Sequence, residues 1–255
     1  MKTNKHLSGF IALSAAFALL AITPSPKAAE GYIDIDLSKP EVELTASFDG
    51  AELLLFGIHN PGTDVIIVVR GPGISTPVRK KDRVAGIWVN SDEVVFKNAP
   101  TFYATASTAP PAEILSPKIL NQYEIGVENI NLDIESKSDG AEAKPFVDGL
   151  IRNMNRSGLY SSEVLEINKV GRQLFRTNLW FPSNVSVGDY TVDTHLVKDG
   201  NIINSKKTHI VVHKVGIEAD IYNFAHDYSL FYGLLAIVIA VISGWSANAV
   251  FRRGG

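Results

Sequence analysis

An uncharged apolar run near the C-terminus constrains this chain more than any other feature of its sequence. The run covers residues 229–251, reads SLFYGLLAIVIAVISGWSANAVF, and contains no Asp, Glu, Lys or Arg. At a rise of about 1.5 Å per residue, a helix of this length crosses the roughly 30 Å hydrocarbon core of a bilayer. The sequence therefore predicts one transmembrane helix over residues 228–251.

Charges on the two sides of this run predict its orientation. Asp220 and Asp227 precede it, whereas Arg252 and Arg253 follow it directly. Positively charged residues resist translocation, so the C-terminal side is expected to stay in the cytoplasm. We therefore expect residues 252–255 to be a cytoplasmic tail and residues 30–227 to lie in the periplasm of a bacterial cell, attached to its inner membrane.

The N-terminal segment has the three parts of a secretory signal. Lys2 and Lys5 precede an apolar stretch over residues 10–22, and a Pro- and Ala-containing exit follows it. The stretch is shorter than the roughly 20 apolar residues that a membrane span needs. Residues 1–29 are therefore interpreted as a signal peptide. An uncleaved anchor stays open as an alternative, because neither Ala28 nor Ala29 completes a clean cleavage pattern.

The charge and composition of the exported region exclude several classes of function. All 27 acidic residues but only 19 of the 24 basic ones lie between Glu30 and Asp227, which gives that region a net charge of −8. Such a surface argues against a nucleic-acid partner. The chain has no cysteine, so disulfides, Cys-ligated zinc, iron–sulfur clusters and thiol catalysis are ruled out.

Short apolar runs and frequent turn residues predict a β-rich exported region. Residues 32–37 and 174–181 alternate between apolar and polar, and residues 64–70 are rich in Val and Ile, as in a central strand. The Asp199-Gly200 pair predicts a hairpin turn. Residues 112–126 and 145–157 are the helix candidates. We expect a mainly β fold, with one or two immunoglobulin-like β-sandwiches and a helical insertion.

Three finer expectations follow from the same patterns. Asn90-Ser-Asp92 is expected to be a turn between two strands, and the polar stretch from Ser136 is expected to be a loop. Trp88 and Trp180 fall in strand-like runs, so both are expected in the core.

A dense group of basic residues is the main candidate for a binding site. Arg79-Lys80-Lys81-Asp82-Arg83 contains four cations within five residues, and Arg70 ends a nearby predicted strand. These cations are suited to an anionic ligand or to anionic lipid headgroups. A hydrophilic hairpin with a mixed-charge tip is the alternative interpretation.

No set of catalytic or metal-binding residues accompanies that cluster. His209 and His213 share a strand face but would lie about 13 Å apart, because a strand rises roughly 3.3 Å per residue. Asp34 and Asp36 lack the surrounding oxygen ligands that calcium needs. There is no Gly-x-Ser-x-Gly nucleophile motif. We therefore expect no enzyme activity, no metal and no cofactor.

Four blocks of the sequence carry a resemblance to a known family. They are FDGAELLLFG (residues 48–57), DVIIVVRGP (64–72), RKKDRVAGIWVN (79–90) and PTFYATAS (100–107). Together they resemble an uncharacterised family of transmembrane proteins of the alphaproteobacteria. The resemblance implies an inner-membrane protein with a periplasmic domain and no assigned activity. It points to permeases of the sulfite- or anion-exporter type as partners to consider, and it supplies no catalytic residues.

Three classes of function are compatible with these observations. The first is a membrane-anchored periplasmic interaction module, accessory to a permease or an envelope complex. The second is an anion- or ligand-sensing domain that uses Arg70, Arg79, Lys80, Lys81 and Arg83. The third, an envelope hydrolase, has the least support because no nucleophile–base pair can be named.

Overall fold

The computed structural model describes residues 31–251 and is mainly β. The expected signal peptide (1–29) and cytoplasmic tail (252–255) lie outside these residues. The strands are β1 (Ile33–Leu37), β2 (Glu41–Leu44), β3 (Gly50–His59), β4 (Asp64–Arg70), β5 (Gly73–Val84), β6 (Ile87–Pro100), β7 (Tyr103–Ser107), β8 (Asp133–Lys137), β9 (Leu165–Glu166), β10 (Asn168–Val170), β11 (Leu174–Pro182), β12 (Gly188–Lys198) and β13 (Asn201–Lys214). The helices are α1 (Pro111–Ile114), α2 (Pro117–Gln122), a 3-10 turn (Val127–Asn129), α3 (Ala143–Arg156), α4 (Ile217–Asp227) and α5 (Ser229–Phe251).

Two sheets share the main hydrophobic core. Sheet A has the strand order β1-β3-β11-β10, and sheet B has the order β2-β13-β12-β4-β7-β9. One cluster of buried side chains takes members from both sheets, among them Leu55 and Phe175 of sheet A and Ile67 and Val192 of sheet B. Because alternate residues of a strand point to opposite faces, each sheet has one face in this core and a second face outside it.

Strand β4 is central, as its sequence predicts, and both of its faces are buried. Every residue from Val65 to Val69 has no exposed surface. Its odd-numbered residues join the core between the sheets. Ile66 and Val68 instead pack with Leu115, which follows α1, and with Leu120 of α2. The predicted helical insertion is therefore present, and it covers the outer face of sheet B.

The predicted hairpin at Asp199-Gly200 is also confirmed. These two residues alone connect β12 to β13, and their φ angles are +48° and +76°. A type I′ turn requires positive φ at both central positions, which Asp tolerates and Gly adopts freely.

A third sheet has the order β5-β6-β8 and packs against α3. Here two predictions were wrong. The turn between β5 and β6 lies at Ala85-Gly86, while Asn90-Ser-Asp92 is inside β6, where the register skips Ser91. The stretch that begins at Ser136 is not all loop, since β8 runs to Lys137. Pairing along the hairpin outweighs the turn preference of Asn, Ser and Asp.

The β5–β6 hairpin prolongs the ladder between β4 and β7. Arg70 pairs with Tyr103, and the pairing continues through the amide of Gly71, which donates to Phe102 O at 2.8 Å. The hairpin then begins at Gly73, opposite Pro100. It thus leaves sheet B at the end where β13 also finishes and the chain continues into α4. We call this the α4 end of sheet B.

Helix α5 matches the predicted membrane span. The segment Ser229–Asn248 has a mean hydropathy of 2.0, and none of it is buried inside the protein. An apolar helix that leaves all of its surface outside the protein core requires an apolar environment such as a lipid bilayer. The length and hydropathy of α5 therefore support a place in a membrane.

Candidate functional site

Arg70 lies apart from the other four candidate cations and is paired inside the protein. Its Nη1 donates to Asp193 Oδ2 at 2.7 Å, and its Nη2 donates to Tyr123 O at 2.9 Å. Nε lies 3.4 Å from Glu124 Oε2. The side chain is 19% exposed. Arg70 therefore joins strand β12 to the segment after α2, and its charge is neutralised by neighbours within the fold.

His195 lies in the same polar cluster beneath the helices. Its Nδ1 and Ser205 Oγ are hydrogen-bonded at 2.8 Å, and its ring meets Tyr123 edge-on at 5.2 Å. Burial lowers the pKa of His195 to about 4, against the opposing effect of Asp193. A neutral imidazole is therefore held beside the Arg70–Asp193 pair. Sequence reasoning missed this cluster because its members come from distant segments of the chain.

The remaining four candidate cations lie on β5 and differ in their partners. Arg79 pairs with Glu93, and Lys80 Nζ lies 3.2 Å from Asp82 Oδ2. Within residues 31–251, the salt bridges of the structure include neither Lys81 nor Arg83. The basic cluster thus leaves two cations without a carboxylate among the described residues.

These two cations belong to an exposed element that we call the hairpin tip (Lys81–Asn90). Cross-strand pairs place Arg83 opposite Trp88, and Lys81 opposite Asn90, on one face of the hairpin. Val84 and Ile87 are paired on the other face. All residues from 83 to 91 are exposed, and Ile87 and Trp88 are 69% and 64% exposed.

The prediction that Trp88 is a core residue was therefore wrong. The hydrophobic cluster around α3 reaches Val94 and Phe96 of β6 but does not include Trp88. The hairpin extends beyond α3, the helix that packs against it. Its tip combines an indole ring, the aliphatic side chains of Val84, Ile87 and Val89, two cations and the carboxylate of Asp82.

The outer face of sheet A is a second exposed apolar surface. Here β10, β11 and β3 place Val170, Leu174 and Ile58 in one row. These three side chains are 48%, 46% and 40% exposed. Trp180 lies on the same face and is 57% exposed, so its predicted place in the core was also wrong. The alternation of β11 explains this, because Leu179 and Phe181 point into the core.

The two sheets differ in how their outer faces are covered. Helical residues pack on the outer face of sheet B. In contrast, Val170, Leu174, Ile58 and Trp180 are in none of the hydrophobic clusters that the structure describes. Sheet A therefore presents apolar side chains to solvent on strands that are fixed from behind by the main core.

The five candidate cations do not line the hollows that the structure describes. A cavity of about 910 Å³ lies beside α4, and its lining includes Leu44, Phe48, Val185, Lys214 and Tyr222. A smaller hollow lies along β10 and β11. Among residues 31–251, no three His, Asp or Glu side chains come together as a metal site. The cations of the hairpin lie instead on a protruding strand pair.

Comparison with known proteins identifies the family of this chain. None of the curated proteins matches the sequence. A family model covers residues 32–253, which include the whole β-rich part and helix α5. The chain thus belongs to the family described as Putative transmembrane protein (Alph_Pro_TM).

Proposed function

We propose that this chain is a membrane-anchored periplasmic interaction module that binds another inner-membrane protein, such as a permease, through the outer face of sheet A. Sheets A and B with their common core would form an immunoglobulin-like β-sandwich, and α5 would be the anchor. In this role the chain supplies a binding surface and performs no catalysis.

The bare apolar face of sheet A is the observation that carries the proposal. The row Val170–Leu174–Ile58 supplies exposed apolar side chains at one end of the sheet, and Asp36 and Arg176 supply polar groups beside it. Contiguous exposed apolar surface with polar neighbours is typical of protein interfaces. Strands that are rigid before binding lose little conformational entropy when a partner covers them.

The membrane anchor makes such a face effective even where its intrinsic affinity is modest. Two proteins in one membrane search a surface rather than a volume, and tethering raises the effective concentration of one for the other. An interface of standard size buries about 800 Å² per partner, which a four-stranded sheet can supply.

In-cell photo-crosslinking tests the proposal. A photoreactive residue at position 174 or 180 should give a protein adduct, whereas one at Lys118 on α2 should not. Leu174→Lys should abolish the adduct from position 180 because it places a charge in the apolar row. The matched control is Val211→Lys on β13, which changes a comparably exposed aliphatic residue of sheet B. Equal adducts in both variants, or none at either sheet A position, would refute the proposal.

The anion-sensing alternative has weaker support in the geometry. Arg70 is neutralised by Asp193 and Glu124, and Arg79 by Glu93. Lys81 and Arg83 lie on a protruding tip, whereas small-molecule sites are usually concave. The free cations are better placed to meet a surface than to enclose an ion.

A further inference from the structure

We propose that the hairpin tip (Lys81–Asn90) binds the anionic phospholipid headgroups of the bilayer that α5 crosses. This contact is separate from the docking face on sheet A, and it would fix the tilt of the β-rich region above the membrane. The proposal combines the direction of the hairpin, its reach and the chemistry of its tip.

The direction of the hairpin follows from its hydrogen bonding. Two backbone hydrogen bonds, from Gly71 N to Phe102 O and from Thr101 N to Pro72 O, connect the β4–β7 ladder to the β5–β6 hairpin. The hairpin consequently starts at the α4 end of sheet B, from which the chain also leaves for the membrane span. Pro72 packs against Gly188 at the start of β12, which fixes the base of the hairpin to that end.

The reach of the hairpin exceeds the length of the spacer between the sheets and the membrane span. The 12 residues of β5 extend about 40 Å at roughly 3.3 Å per residue. The 11 residues of α4, which separate β13 from α5, extend about 16 Å at roughly 1.5 Å per residue. The hairpin is therefore longer than the spacer, so a tilted hairpin can bring its tip to the headgroups.

The tip has the side chains that favour a headgroup zone. Indole rings concentrate at the membrane–water interface, and Trp88 is mostly exposed. Val84 and Ile87 add aliphatic surface on the other face of the tip. Lys81 and Arg83 take no part in the salt bridges of the described chain, so their charges are available to lipid phosphates.

The charge of the tip contrasts with that of its surroundings. The region from Glu30 to Asp227 has 27 acidic and 19 basic residues, and an anionic surface repels it as a whole. The stretch Arg79–Arg83 has four basic residues and one acidic residue, Asp82, and two of the basic residues, Lys81 and Arg83, belong to the tip. Electrostatic attraction therefore turns the tip, rather than another part of the β-rich region, toward anionic lipid.

A single-tryptophan form of the full chain tests the contact. The chain has three Trp residues, and Trp180→Phe with Trp245→Phe leaves Trp88 as the only reporter. The protein is reconstituted into nanodiscs of phosphatidylcholine alone or with about a third of phosphatidylglycerol. With the anionic lipid, we expect a blue-shifted emission and quenching by lipids brominated high on the acyl chain. In phosphatidylcholine alone, both effects should be much weaker.

Neutralising the tip should weaken this contact. Lys81→Gln with Arg83→Gln should lower the ratio of membrane-bound tip to unbound tip about thirtyfold. Each cation near an anionic surface contributes about 1 kcal/mol, and 1.4 kcal/mol corresponds to a factor of ten. The matched control is Arg172→Gln with Lys198→Gln. These exposed cations lie at the end of the sheets opposite the α4 end, as the pairing of β11 and β12 shows. Their replacement should therefore leave the quenching of Trp88 unchanged.

Three results would overturn the proposal. One is emission typical of water-exposed indole in both lipids, and another is quenching that the neutralised tip retains. The third is a protein crosslink from position 88 in cells without lipid quenching, which would assign the tip to a protein. Leu174→Lys should leave the quenching unchanged, so a failure of the sheet A docking face can be told apart from a failure of the tip.

Discussion

Arg70 and Asp193 form a charged hydrogen bond of 2.7 Å between strands β4 and β12, on the face of sheet B that the helices cover. The same guanidinium donates to Tyr123 O and so holds the segment that follows α2. Gly71, the next residue, begins the path into the β5–β6 hairpin. The Arg70 side chain thus ties the sheet to the helical insertion, one residue before the base of the hairpin.

Removing this guanidinium should destabilise the fold. Arg70→Ala leaves Asp193 partly buried without its main partner, and loss of one member of a buried pair costs about 3–5 kcal/mol. Because Arg70 and Asp193 are 19% and 16% exposed, we expect roughly 2 kcal/mol after solvent screening. Urea unfolding of the full chain in detergent measures this loss.

Arg79→Ala is the matched control for that measurement. It removes an Arg–carboxylate pair that is 54% and 38% exposed, and such surface pairs contribute about 0–1 kcal/mol. Equal losses in the two variants would contradict a structural role for Arg70.

His195 should make the stability of the fold depend on pH. Burial lowers its pKa from 6.5 to about 4 in the folded chain. Between these values the unfolded chain binds a proton that the folded chain does not, so stability falls as the pH drops from about 6.5 to about 4. At 1.36 kcal/mol per pKa unit, the loss approaches roughly 3 kcal/mol.

His195→Gln should remove this contribution. Burial raises the pKa of the Asp64 carboxyl, but hydrogen bonds to Lys169 and Thr108 and the nearby positive charge together outweigh burial and lower that pKa. Carboxylates such as Asp64 titrate alike in both proteins, so their effect on stability cancels in the comparison. Thermal unfolding at pH 7, 5.5 and 4 should show the advantage of the natural chain over the variant shrinking as the pH falls. A constant difference would contradict the assignment.

The sequence predicts the strands where turn chemistry and alternation agree. Asp199-Gly200 has the residues that a type I′ turn needs, and the hairpin forms there. At β5–β6 the preferences conflict, because Ala85 takes the position that Asp199 takes in the other turn. Asn90-Ser-Asp92 is the stronger local turn signal, but continuous pairing with β5 keeps it extended.

The sequence around Trp88 and around Trp180 does not by itself show that these two side chains are exposed. The alternation of β11 does place Trp180 with Arg176 and Asn178, away from Phe175 and Leu179, so its face could have been read from the sequence. Nothing local shows that this face of sheet A lacks a cover. Trp88 is exposed because the hairpin extends past α3, which is a property of the tertiary arrangement.

Replacing Ala85 by Asn should stabilise the turn of the β5–β6 hairpin. Ala85 has a φ of +49°, and this left-handed conformation costs an Ala residue about 1–2 kcal/mol. Asn adopts it more readily, so Ala85→Asn should stabilise the hairpin by about 0.5–1 kcal/mol. Hydrogen exchange of the β5 and β6 amides measures the local effect. The reciprocal change, Asp199→Ala, should weaken protection in β12 and β13 by a comparable amount, and unchanged exchange in both hairpins would contradict the turn assignment.

The orientation of the chain should follow the charges that flank α5. Insertion scales give about 2.5–3.5 kcal/mol for each Arg at the centre of a membrane helix, so Arg252 and Arg253 should remain in the cytoplasm. Alkaline phosphatase fused after Asp227 should therefore be active, and a fluorescent protein fused after Gly255 should fold and emit inside the cell. The full chain should also stay with membranes during a carbonate wash, because α5 is apolar over its whole length. An exported C-terminal reporter would reverse this topology, and with it the periplasmic position of sheet A and the hairpin tip.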